Sequence, residues 1–145
     1  MLYLDTSALL KLLWTEPESA AVREHVTREE LVVVSALAEL ETEVQLKAAW
    51  LAGKYREATW RDFLAKFTEL RDTEPFAFRP LPASVFETAR RRQRASGRVH
   101  CRTLDWLHLA AMEELDVTRL MTNDTTQAQA ARALGFEVLM PRRGR

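Results

Sequence analysis

The chain has 145 residues, 47% of them hydrophobic, and its 21 basic and 21 acidic side chains give a formal net charge of zero. That length supports one domain (1–145) with a proper core and is too short for two ordinary ones, and the charge balance excludes a globally basic nucleic-acid binder. The longest apolar stretch, Leu31–Ala38, is far too short to span a membrane, no basic leader precedes the first apolar residues, and a lone Cys101 forms no internal disulfide; the expectation is a cytoplasmic protein without a membrane segment.

Taken in chain order, "LYL" predicts a first strand and "SALLKLLW" a helix that stops before the loop "TEPES". "SAAVREHV" gives a second helix with one apolar side. "LVVV" at 31–34 is β-branched and unbroken by polar residues, as expected of a strand covered on both faces. Ser35 is placed to cap a long helix from about Ala36 to Leu51, which ends near Gly53. From Arg56 to about Arg71, Trp60, Phe63, Leu64 and Phe67 recur at helical spacing. With Trp50 and Tyr55 they belong to a helical hairpin outside the sheet. Core is the first reading of that stripe, and a dimer or partner surface the second.

"PFAFRPLP" predicts a strand with proline exits, and "SVFETARRRQRAS" a helix closed by Gly97. "TLDWLHLAAMEELD" predicts a helix on which Leu104, Leu107, His108 and Ala111 share a face. "VTRLMTND", "TTQAQAARALG" and "FEVLM" then read as strand, helix and strand before Pro141 and a basic tail at about 140–145. Strands alternating with helices, without repeats or long linkers, indicate an α/β domain with a mainly parallel sheet.

In such sheets, functional groups collect beyond the carboxyl ends of the strands. Asp5 ends the first strand and Asp124 follows "RLMT". Glu39 and Asp105 stand in the first turns of helices. Taken singly, Glu39, Asp105 and Asp124 have ready structural readings as acids favoured by helix N-termini or as caps. Asp5 is harder to dismiss, because a carboxylate abutting a buried strand is costly without a partner. If the four converge, their repulsion demands protons, arginines or a cation. Oxygen-only donors suit Mg²⁺ or Mn²⁺ better than Zn²⁺, and such a site fits phosphodiester hydrolysis.

The segments "YLDTSALLKLL", "VVSALAELE", "RTLDWLHLAAM" and "LMTNDTTQAQAARALGFEVL", in that order and spanning nearly the whole chain, resemble those of PIN-domain nucleases, and within that superfamily the VapC toxins of bacterial toxin–antitoxin pairs. The resemblance implies a PIN-like three-layer fold with a central, mainly parallel sheet flanked by helices. It places the family's acids on Asp5, Glu39, Asp105 and Asp124, and implies that they bind Mg²⁺ or Mn²⁺ and cut RNA through a metal-activated water. A small DNA-binding antitoxin and a homodimer are implied as well. Related sequences usually carry a small residue where this chain has Trp106, for which core is the favoured reading.

Within that site Asp5 is expected to be the central ligand, with Asp105 and Asp124 as further direct or water-mediated ligands and Glu39 as a ligand or as the group orienting the water. Thr6, Ser7 and Thr122 are expected to hold the carboxylate rotamers. Glu43, one turn after Glu39, could assist it, whereas Glu41 is expected to point into solvent. His108 invites a general-base role but is expected to be packed. A softer metal site at His100 and Cys101 is rejected.

Charge is uneven along the chain: 9 Lys and Arg against 14 acids up to Phe78, then 12 arginines against 7 acids. Arg91, Arg94 and Arg98, read as one helix face, could track an RNA backbone, with a solvated face as the equal alternative. The tail arginines Arg142, Arg143 and Arg145 could assist capture. Two other readings are set aside. A dehalogenase-type phosphatase needs a second Asp where Ser7 stands, and a receiver domain needs adjacent acids near the first strand. A non-catalytic PIN-like binding module, or a PIN nuclease without an antitoxin, remains the alternative.

Overall fold

In the computed structural model, which describes residues 1–142, five strands form one sheet. The strands are β1 (Leu2–Leu4), β2 (Val32–Ser35), β3 (Phe76–Arg79), β4 (Arg119–Met121) and β5 (Glu137–Leu139). Every pairing is parallel, in the order β3-β2-β1-β4-β5. The helices are α1 (Thr6–Leu13), α2 (Ser19–Thr27), α3 (Ala36–Leu51), α4 (Glu57–Glu69), α5 (Val85–Ala95), α6 (Thr103–Glu114) and α7 (Thr125–Ala133). Among the described residues, no helix is long and apolar enough to cross a membrane. Of the tail, Arg142 is exposed, and Arg143 and Arg145 lie outside the described residues.

The sheet is buried on both faces, so its strands carry runs of apolar residues rather than an alternation. Successive side chains still divide between the faces. Leu2, Leu4, Val32, Val34 and Met121 pack with Ala8, Leu9, Val22 and Phe67 from α1, α2 and α4. Tyr3, Val33 and Leu120 pack with Ala89, Leu109 and Ala130 from α5, α6 and α7. The result is the three-layer arrangement expected. Each fully buried Leu contributes about 1.5–3 kcal/mol, which is why strands of three or four residues suffice.

Of the hairpin stripe only Phe67 is fully buried. Trp50 stacks on Trp60 at 4.4 Å and Tyr55 meets Phe63 edge-on at 5.2 Å, so these half-buried rings satisfy one another within the α3–α4 hairpin. Trp106 is core, as its size demanded.

The order in which strands are added reverses at β1: β2 and β3 build outward on one side of it, β4 and β5 on the other. The carboxyl ends of β1 and β4 therefore border a topological switch point, where a crevice opens between diverging connections. Asp5 N donates to Met121 O at 3.3 Å, carrying the pairing one residue past β1.

Candidate active site

A cleft of about 510 Å³ opens at that switch point, lined among others by Asp5, Glu41, Arg102, Asp105, His108 and Asp124. Asp5 lies at its floor, 2% exposed. Its Oδ1 accepts from Ser7 Oγ at 2.7 Å and from the Ala8 N–H at 2.9 Å, and its Oδ2 accepts from Thr122 Oγ1. Asp5 is thus the N-cap of α1 as well as the floor of the cleft. Thr122 Oγ1 in turn accepts the Asp124 N–H at 2.9 Å, and Ser7 Oγ accepts the Asn123 N–H at 2.9 Å. The turn after β4 is thereby fastened to the turn after β1. Burial pushes the Asp5 carboxyl above its ordinary value, against the hydrogen bonds from Thr122, Ser7 and Ala8 that favour its ionised form. A nearby cation would relieve that cost.

Asp105 and Asp124 are joined by one arginine. Arg102 Nε donates to Asp105 Oδ2 at 3.1 Å and Arg102 Nη2 to Asp124 Oδ2 at 2.9 Å. Both acids also serve helix starts. Asp105 accepts the Arg102 N–H at 3.1 Å at the head of α6, and Asp124 Oδ1 accepts the Gln127 N–H at 2.9 Å at the head of α7. Sequence reasoning counted Arg102 only among the 12 arginines after Phe78; its place three residues before Asp105, where a helical first turn lets the two side chains meet, was the signal.

The fourth carboxylate of the cleft is Glu41, and this corrects the sequence expectation. Glu39 does not line the cleft; it pairs with Arg71 from the turn after α4. Glu43 is exposed. The buried seam of α3 runs through Ala38, Thr42, Leu46 and Ala49. At about 100° per residue, Glu39 and Glu43 fall on one flank of that seam and Glu41 with Gln45 on the other. The cleft lies on the second flank, so Glu41, expected to be solvated, is a cleft residue.

Glu41 is also tightly held. Its Oε1 accepts from Thr6 Oγ1 at 3.2 Å and lies 2.5 Å from His108 Nε2. Burial acts to raise its carboxyl, yet the contact with His108, then Thr6 and Arg102, keeps it below the usual carboxylate range. Thr6, Ser7 and Thr122 thus all bond cleft carboxylates, Thr6 to Glu41 and the other two to Asp5.

The arginine face does not form as expected. Helix α5 ends at Ala95, followed by a left-handed Gly97 (φ 62°), which leaves Arg98 beyond the helix that carries Arg91 and Arg94. Arg91 and Arg92 both pair with Glu113 on α6, at 2.7 and 2.5 Å. Arg94 and Arg98 are exposed. Cys101 is buried, and its thiol is pushed up to about 12 by burial and then by the charges of Asp105 and Asp124.

Among the described residues, no three Asp, Glu, His or Cys side chains already stand at the spacing of a closed metal cage. The cleft is open, and the positive charge between Asp105 and Asp124 is the Arg102 guanidinium, whose side chain is 75% exposed. The donor set fits a hard divalent cation. All its atoms are carboxylate oxygens, no Lys or Arg among the described residues pairs with the buried Asp5, and the guanidinium between two of the others sits on a long, exposed side chain able to yield its place.

Comparisons with known proteins agree with this geometry. The sequence profile of the PIN domain matches residues 2–133. Ribonuclease VapC46 of Mycobacterium tuberculosis is 33% identical over 142 residues, 97% of each chain. Among solved structures, M. tuberculosis VapC20, described as a Sarcin-Ricin loop cleaving toxin, superposes with a TM-score of 0.70 at 14% identity, covering 94% of this chain and 96% of that one. VapBC2 from Rickettsia felis, bound to a DNA fragment from its promoter, gives 0.66 at 12% identity over 98% of this chain and 100% of that one. These two structures share the fold. The profile and the close relative go further, and the chain belongs to the PIN-domain family, in its VapC-type branch.

Proposed function

We propose that this protein is an endoribonuclease that hydrolyses RNA phosphodiester bonds in the cleft of Asp5, Glu41, Asp105 and Asp124, and that it is the toxin of a toxin–antitoxin pair. The observation that carries this reading is the meeting of carboxylates from four separate elements at the switch point, with a single guanidinium between two of them. The roles of the relatives support it: one is a ribonuclease, one is a Sarcin-Ricin loop cleaving toxin, and one was solved as VapBC2 on promoter DNA. They favour RNA as substrate here and a DNA-binding antitoxin as partner; the cytoplasm is proposed as the place of action. A homodimer is proposed as the assembly, as the family resemblance implies.

Asp5, Asp105, Asp124 and Glu41 would hold Mg²⁺ or Mn²⁺. Bound there, the cation supplies Lewis acidity to the phosphodiester and to the attacking water. The chain's own residues do the rest. Ser7, Thr122 and the Ala8 N–H fix the Asp5 rotamer. Glu41 is ionised at neutral pH and available to accept a hydrogen bond from the water. Arg102, once displaced from the two aspartates, offers a planar fork suited to a phosphate at the cleft mouth. Arg94 and Arg98, with Arg91 if Glu113 releases it, would attract the RNA backbone without reading its sequence.

The test is Mg²⁺-dependent cleavage of a pool of structured RNAs by the wild type and by Asp5→Asn. Loss of cutting in a folded Asp5→Asn supports the reading. Equal cutting by both assigns the activity to a contaminant. A folded wild type that cuts no RNA in the pool overturns the enzyme reading in favour of a non-catalytic binding module.

A further inference from the structure

His108 stands one turn after Asp105 on α6, is 2% exposed, and has both ring nitrogens engaged. Nε2 lies 2.5 Å from Glu41 Oε1, and Nδ1 lies 2.7 Å from the Tyr3 hydroxyl. The Tyr3 hydroxyl is 2.7 Å from Ser35 Oγ, and Ser35 Oγ accepts the Ala38 N–H at 3.2 Å at the head of α3. Tyr3 and Ser35 are fully buried, so this chain runs from the centre of the sheet to the wall of the cleft.

One assignment of protons satisfies every member while leaving Glu41 ionised. Ser35 donates to the Tyr3 oxygen, Tyr3 donates to His108 Nδ1, and the ring proton on Nε2 is donated to Glu41. With one ring proton the reverse order requires a protonated Glu41, and any order in which Nδ1–H donates to Tyr3 leaves the Ser35 hydroxyl proton without a place in the chain. In the first order His108 has no free nitrogen with which to take a proton from substrate or water. Its partner is the long, rotatable Glu41 side chain, which must be held still to serve a site. Both contacts on Glu41 fall on Oε1, which leaves Oε2 for the cleft.

We infer that His108 is a positioning residue: through Nε2–H it holds the Glu41 carboxylate in the cleft, and Tyr3 and Ser35 set the tautomer that lets it do so. The inference rests on the reading of Glu41 as one of the cation-holding carboxylates. It also accounts for a buried histidine and a buried tyrosine being tolerated side by side in a mainly apolar layer. Their polar atoms are satisfied by one another and by the site.

The experiment compares wild type, His108→Leu, His108→Gln, Glu41→Gln and the double variant His108→Leu/Glu41→Gln by two readouts, Mn²⁺ affinity from calorimetry and the kcat and KM of RNA cleavage, with thermal melts to establish folding. His108→Leu is expected to weaken Mn²⁺ binding and lower kcat by about 10- to 100-fold, leaving KM for RNA unchanged. His108→Gln, whose amide N–H can reach Glu41, recovers most of both. In the Glu41→Gln background His108→Leu adds no further loss, because the residue acts through Glu41. Additive losses in the double variant, wild-type affinity in His108→Leu, or a folded His108→Gln no better than the leucine variant would overturn the inference. Where His108→Leu does not fold, His108→Gln against the shorter His108→Asn makes the same comparison. A wild type that binds Mn²⁺ but cuts no RNA defeats the proposed activity alone, and the calorimetric comparison still decides the role of His108. A wild type that binds no Mn²⁺ defeats both.

Discussion

The Arg102 guanidinium reaches across 22 positions of sequence to place Nη2 2.9 Å from Asp124 Oδ2, at the point where Asp124 faces Asp105. A monovalent organic cation thus stands between two carboxylates that, in the proposed function, would help to hold a divalent ion. The contact is exposed and worth little by itself; its consequence lies in competition. Replacement by Arg102→Gln leaves the two aspartates to repel one another in the metal-free protein and frees them for the ion. The metal-free variant is expected to melt below the wild type in EDTA. Its Mg²⁺ titration midpoint should shift to lower concentration, and the gap in melting temperature should close at saturating Mg²⁺, because an ion that binds only the folded state stabilises it by mass action. Parallel melts across a Mg²⁺ series check this. A midpoint unchanged by the substitution would mean that arginine and metal do not share a place.

Glu39 and Glu41 give a sharp pair for mutagenesis. Glu41 lines the cleft and Glu39 pairs with Arg71 on the opposite flank of α3. Glu41→Gln is expected to lower cleavage by about 10²-fold or more, as loss of a group that aids proton transfer does. Glu39→Gln should leave the rate near wild type. Initial rates on a single cleaved RNA, at saturating Mg²⁺, separate the two; equal losses would show that both flanks of α3 serve the reaction.

The reason that this pair was misread shows where sequence reasoning stops. Asp5, Asp105 and Asp124 were legible because each follows a strand or opens a helix, and a parallel sheet delivers such positions to one edge. The phase of α3 was not. Apolar residues occur all round it, and Leu40 and Val44 stand 61% and 57% exposed while Ala38 and Thr42 are buried. Acids at every second position, Glu39, Glu41 and Glu43, then offer no periodicity from which to choose a flank. The alternation of strand and helix, by contrast, gave the α/β domain with its parallel sheet, the resemblance to PIN domains gave the three layers, and Pro, Gly and Ser gave most element ends. The close of α5 at Gly97 was legible as well, but Arg98, which lies beyond that left-handed residue, was read onto the helix face of Arg91 and Arg94.

Thr122 is the pin between the two strand ends. Its hydroxyl donates to Asp5 Oδ2 and accepts the Asp124 N–H, so one fully buried atom serves both acids. Thr122→Val keeps the shape and removes both bonds, leaving a buried carboxylate oxygen and a backbone N–H short of a partner. The expected cost is about 1–3 kcal/mol in urea unfolding and about 10- to 100-fold in cleavage. Thr122→Ser, which keeps the hydroxyl, should lose much less of either. Loss of stability without loss of rate in the valine variant would show that the Asp5 rotamer is held by Ser7 and Ala8 alone.

Glu113 ties α6 to α5 through Arg91 and Arg92, and the hydrogen bond from Arg92, followed by that from Arg91, holds its carboxyl below the ordinary value. Near the ordinary glutamate pKa of about 4.3 the unfolded chain therefore binds more protons at this position than the folded one. By linkage, the stabilisation is fully present above that pH and is lost as the pH falls through the lower folded value. The difference in unfolding free energy between wild type and Glu113→Gln is thus expected to be constant from pH 7 down to about 5, then to shrink toward zero on further acidification. Urea melts of the two proteins at matched ionic strength measure it. A difference that persists undiminished at pH 3 would assign the effect of Glu113 to packing between α5 and α6 rather than to its charge.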